Sequence, residues 1–210
     1  MTNRVSFTPS PVARGLLALT GLAVPVASFV ALHEMHPAGR PERMTDSQLA
    51  EWAQSGAHTI WAGGVLQLAA ALLLLVFAAG LDDRLRSWGA GPVRRRTGAG
   101  SFVVVSGLVA LSAILQIMTG VIATPEEAQR SETLLPVLAL LYGNLNVAVW
   151  CLLVPAVVVT AWAPRAPKWL RIVSGLLAVP LSLTLALPFM SWFPAFVWLG
   201  VIAAAVAIDR

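Results

Sequence analysis

Apolar residues run along this chain in long blocks, and polar residues gather in the gaps between them. Six blocks stand out, at residues 15–32, 61–80, 99–123, 134–163, 169–187 and 193–208. At about 1.5 Å per residue they approach or exceed a bilayer core of roughly 30 Å, and none shows the strict alternation of a half-buried strand. The pattern predicts an all-α fold: a polytopic transmembrane helical bundle of about six spans in one integral membrane domain. The fourth block carries no charge, yet Asn144, Asn146 and Cys151 lie inside it. Pro25 falls within the first block and is expected to kink it.

The gaps carry their own signals. Residues 1–13 read as a loose tail. Arg4 and Arg14 before the first block resemble a signal peptide, but the run is long and lacks a clean small-residue cleavage site, which favours an uncleaved anchor. Between the first two blocks, Thr45-Asp46-Ser47-Gln48 predicts a capping box. It opens a short helix whose Leu49, Trp52 and Ala53 share a face, expected at the membrane surface. Residues 81–98 read as a loop with a basic run at Arg94, Arg95 and Arg96. Thr124-Pro125-Glu126-Glu127 reads as a helix start, and residues 188–194 as a tight hairpin between the last two spans.

Composition agrees with the pattern. The 210 residues are 58% hydrophobic and 11% charged, against about a quarter charged in soluble domains, and mean hydropathy is +0.78. So little polar surface requires lipid as the solvent. The sequence pI of about 10.6 does not indicate a nucleic-acid binder. The arginines flank apolar runs, and no basic helix with interleaved aromatics occurs. One cysteine excludes an intramolecular disulfide.

Charge also sets an orientation. One side of the six-span layout holds Arg4, Arg14, Arg84, Arg86, Arg94, Arg95, Arg96, Arg165, Lys168, Arg171 and Arg210; the other holds only Arg40, Arg43 and Arg130. The positive-inside rule then puts both termini in the cytoplasm. On this layout Trp52, Trp61 and Trp192 fall near the outer interface, and Trp88, Trp162 and Trp169 near the inner one.

Three sets of residues are candidates for chemistry. Gln67, Gln116, Asn144 and Asn146 are uncharged polar residues inside spans, all in the outer half. Small residues share their faces: Gly63 and Ala71 with Gln67, Ser112 and Gly120 with Gln116, Ala148 and Cys151 with Asn144. Such faces serve either as glue between helices or as a polar pocket opening outward for a small uncharged or zwitterionic solute. His33 and His36 end the first block three residues apart, and His58 opens the second; with Glu34 they have metal-ligand spacing, although the H-E-x-x-H pattern of zinc peptidases is absent. Arg94, Arg95 and Arg96 hold topology or contact anionic lipid headgroups. No Asp, Glu, Lys or Arg lies mid-span, and no nucleotide-binding loop or nucleophile elbow occurs.

The layout resembles small six-helix bacterial integral membrane proteins of unknown function. The resemblance rests on Trp61-Ala62-Gly63-Gly64-Val65 opening the second span, on Phe77-Ala78-Ala79-Gly80-Leu81 leading into an arginine loop, and on tryptophans flanking the fifth and sixth spans. It implies no activity and supplies no catalytic residues; the expected location is a bacterial cytoplasmic membrane. The expectation is a non-enzymatic membrane protein, requiring no cofactor, that binds or passes a small solute. The alternatives are an accessory subunit that assembles with itself or with a membrane partner, and a metal-dependent enzyme using the histidines.

Overall fold

Thr45 opens the longest helix of the protein. Its hydroxyl accepts the Gln48 backbone N–H at 3.4 Å, and its own N–H donates to Gln48 Oε1 at 3.0 Å, so the capping box forms as expected. Helix α2, Asp46–Ser87, then continues for 42 residues, about 60 Å at the usual rise. The expected surface helix and second span are one element. Nothing in between stops it: there is no proline, and the cost of four glycines, about 1 kcal/mol each at most, is offset by packing on both sides of the helix.

The computed structural model describes residues 11–31, 44–123, 134–184, 186 and 191–208. The other helices are α1 (Pro11–Phe29), α3 (Pro92–Ile122), α4 (Leu134–Ala148), α5 (Val154–Ala161), α6 (Lys168–Leu183) and α7 (Trp192–Ile208). Only residues 88–91 separate α2 from α3, so the expected loop at 81–98 is mostly helical, and Arg94, Arg95 and Arg96 occupy the first turns of α3. Pro92 starts that helix at a position where its missing N–H costs nothing. Pro194 belongs to α7 rather than to a hairpin. The expected helix start at Thr124 and the loop before Met44 lie outside the described residues.

Helices α4 and α5 form one rod with a defect. A 3-10 turn, Val149–Leu153, joins them. Pro155 explains it: proline has no N–H to give the Cys151 carbonyl, and its ring would clash with that oxygen in a regular α-helix. The Val154 N–H takes the Cys151 carbonyl instead, one residue early.

The described residues therefore form six helical rods, the fourth interrupted. Three stretches are long and apolar enough to cross a membrane, Gln54–Ser87, Pro92–Ile122 and Val137–Ala161; Gly15–Phe29 and Trp192–Ile208 are shorter apolar helices. Each rod packs on the next in chain order, and α7 returns to pack on α1, which closes the bundle into a ring. At one end Arg84 Nη2 donates to the Val206 carbonyl, the Arg165 N–H donates to the Trp88 carbonyl, and Arg95 pairs with Asp82 at 2.9 Å. This is the basic end. Trp88 is buried there and Trp52 at the opposite end, each inside an apolar cluster.

A buried polar layer as candidate functional site

The bundle has two apolar cores. The larger includes Leu74 and Phe77 of α2, Phe102, Val105 and Val109 of α3, Trp150 and Leu153 beside the 3-10 turn, and Trp198 of α7. Phe102 bridges its aromatics, with ring centroids 5.4 Å from Phe77 and 5.9 Å from Trp198. The smaller core joins Trp52 and Ile60 of α2, Ala123 after α3, and Leu135, Ala139 and Tyr142 of α4. Chain order puts the same gap between the two cores on all three helices: Gln67 on α2, Ser112 and Gln116 on α3, Asn146 on α4. These four side chains are 0–1% exposed. They form a polar layer with apolar packing on either side.

Hydrogen bonds tie the layer across the helices. Gln67 Nε2 donates to Asn146 Oδ1 at 2.5 Å, joining α2 to α4. The Ser112 hydroxyl donates to the Tyr142 carbonyl at 2.9 Å, joining α3 to α4. One turn toward the larger core, Ser106 Oγ donates to the Ala71 carbonyl at 2.7 Å. Ser191, just before α7, donates to the Val147 carbonyl at 2.5 Å. That carbonyl lies where α4 passes into the 3-10 turn, and carbonyls at such transitions lose their regular partners.

Close helix approach makes these bonds possible. A methyl group at Gly64 would lie 2.9 Å from the Ala113 carbonyl oxygen, and one at Gly120 would lie 2.8 Å from the Ala57 carbonyl oxygen. Both obstacles are backbone and cannot swing aside. The two glycines therefore let α2 and α3 touch along the polar face, as small residues do between membrane helices.

The layer is incompletely satisfied. Gln67 Oε1, Gln116 Oε1 and Asn146 Nδ2 are buried with no hydrogen-bond partner among the described residues, and Trp150 Nε1, one turn along the same rod, is a further unpartnered donor. Acceptors thus come from α2 and α3, and donors from the fourth rod.

The four expected polar residues do not all meet here. Asn144 and Asn146 are two residues apart, about 200° around a helix. Asn146 enters the layer, whereas Asn144 is exposed and donates to the Leu140 carbonyl in its own helix at 2.9 Å. Ser112 joins the layer with a role beyond the small-residue face read from sequence. Its carbonyl partner on Tyr142 carries no sequence signal, because any residue supplies that oxygen.

Of the histidine set, His33 and His36 lie outside the described residues. His58 is exposed on α2, its ring centroid 6.3 Å from that of Trp61. No group of three His, Cys, Asp or Glu side chains suited to a metal occurs among the described residues. In the basic run, Arg95 is committed to Asp82, while Arg94 and Arg96 are exposed.

Comparison with known proteins matches neither a curated protein nor a solved structure. The family model described as "Uncharacterized membrane protein (DUF2298)" matches residues 9–192. That match covers most of the chain, and together with the apolar helices described above it places the protein in that family of membrane proteins.

Proposed function

We propose that the polar layer binds a small uncharged solute that both donates and accepts hydrogen bonds, and that the protein holds or passes this solute across the membrane. The observation that supports the reading is the set of unpartnered buried atoms, Gln67 Oε1, Gln116 Oε1 and Asn146 Nδ2. Magnitudes favour it over glue alone. An interhelical hydrogen bond in a membrane protein contributes about 1 kcal/mol, whereas each buried polar atom left unpaired costs about 1–3 kcal/mol. Three unpaired atoms outweigh the one amide pair they flank, which favours a polar occupant in the layer over glue alone. Among the described residues no ionised side chain is buried with the four of the layer, which disfavours a full ion, whose charge would be uncompensated. The smaller core, with Trp52 and Tyr142, lies between the layer and the far end of the bundle and acts as the barrier that a passing solute must displace.

Gln116 provides the test. Gln116→Leu removes an unpartnered acceptor and leaves the Gln67–Asn146 pair intact. Purified Q116L protein is expected to keep its thermal midpoint and to lose uptake of small polar neutral solutes, such as urea or glycerol, into proteoliposomes. Uptake equal to wild type, with folding intact, would sink the proposal.

The Gln67–Asn146 bond and the glycine contacts favour a second reading, an accessory subunit whose seam only holds helices together. That reading expects a stable partner to co-purify in mild detergent. It also expects N146L, which breaks the bond, to lower the thermal midpoint while Q116L changes nothing.

A further inference from the structure

At the basic end, an open cleft of about 370 Å³ lies between the end of α5 and the start of α6, lined by Ala161, Lys168, Arg171 and Ile172. Arg171 is anchored to one wall, where its Nε donates to the Ala161 carbonyl at 3.3 Å. This bond uses one of five guanidinium N–H groups. Lys168 is exposed. The chain from Val154 to Leu183 contains no acidic residue that could neutralise the two cations locally.

Below the cleft, α6 presents an apolar column. Ile172, Leu176, Val179 and Leu183 recur at steps of four, three and four, which keeps them on one face, and each is more than 60% exposed. Trp162 and Trp169, both exposed, stand at the level of the cations, where amphipathic rings settle at a bilayer interface.

We infer that this cleft is a binding site for an anionic phospholipid, with the phosphate held by Lys168 and Arg171 and an acyl chain laid along the α6 column. Charge complementarity calls for an anion. The continuous apolar column selects a lipid over a free ion, because a free phosphate would leave that column unused. With no carboxylate on the two segments that line the cleft, an anionic headgroup is favoured over a zwitterionic one, whose cationic part would find no counter-charge on them. The inference depends on the membrane setting and is independent of any solute in the polar layer.

The test uses the full chain in mild detergent, with native mass spectrometry of bound phosphatidylglycerol and phosphatidylcholine. Wild type is expected to retain phosphatidylglycerol in preference to phosphatidylcholine. K168Q should lower retention about fivefold, from roughly 1 kcal/mol per surface charge, and K168Q/R171Q should lower it further. R86Q removes one exposed charge elsewhere at the same end and is expected to leave retention unchanged. Equal losses in R86Q and K168Q would reduce the effect to bulk charge attraction and overturn the inference. Displacement of the lipid by millimolar inorganic phosphate would also overturn it, in favour of a free-anion site. If the double variant does not fold, the comparison of K168Q with R86Q decides.

Discussion

At the scale of single residues, the polar layer depends on what each side chain lacks as much as on what it touches. Gly120 shows this most directly. Its Cβ position is filled by the backbone of Ala57 and Trp61, so Gly120→Ala must push α2 and α3 apart. Overpacking of that kind costs about 1–3 kcal/mol. A clear drop in thermal midpoint in detergent is expected for G120A. Gly107→Ala, on the same helix with open space at its Cβ, should be neutral or raise the midpoint slightly. Equal behaviour of the two variants would show that the close approach of α2 and α3 is not required. Asn144 and Asn146 teach a related lesson. They look equivalent in sequence, but helix geometry sends one into the layer and the other to the surface.

At the scale of elements, local chemistry was legible where it acts within a few residues. The capping box at Thr45 was readable because both partners lie within one turn. Its removal should be felt locally: Thr45→Ala is expected to cost about 1 kcal/mol. Hydrogen exchange should then quicken several-fold in the first turn of α2 and stay unchanged in the membrane-spanning part. The 3-10 turn before Pro155 is a local effect too, since a proline removes an α-helical bond, yet Pro25 and Pro180 lie within helices that carry no such turn, so its place was not readable from sequence. Helix length could not be read either. The short helix expected from Asp46 does not end before the second span, and the loop expected from residue 81 is helical to Ser87. Both stretches remain helical because no proline interrupts them and because α3, antiparallel and close by, packs along much of the length. The arginine run was misplaced for the same reason. Arginines at the start of a helix oppose its dipole, and the Asp82–Arg95 pair across the α2–α3 turn offsets part of that cost.

At the scale of the whole molecule, the ring of rods brings most of the described cationic residues to one end. We expect that end to face the cytoplasm, as the positive-inside rule requires. Cysteines introduced at exposed Ser87 and exposed Ser47, in a Cys151→Ser background, would test it. An impermeant thiol reagent added outside intact cells should label position 47 and spare position 87. The reverse pattern would invert the topology. The same ring buries the polar layer, with the Trp52–Tyr142 core on one side of it and the larger core on the other. An amphipathic face records that a residue turns inward; whether water follows it depends on what other helices place above it.

Composition and the six apolar blocks alone settled that this is an all-helical membrane protein, because helix-length runs with so few charges have no other stable solvent than lipid. The same pattern singled out Gln67, Gln116 and Asn146, because amides are conspicuous among apolar neighbours. Only the tertiary structure decided that Gln67 meets Asn146, that Ser112 joins them, and that an apolar core closes over all of them. Those facts depend on register between helices far apart in the chain. Register is set by where Gly64 and Gly120 allow backbones to touch and by the defect at Pro155, and no local pattern encodes which helix will be on the other side.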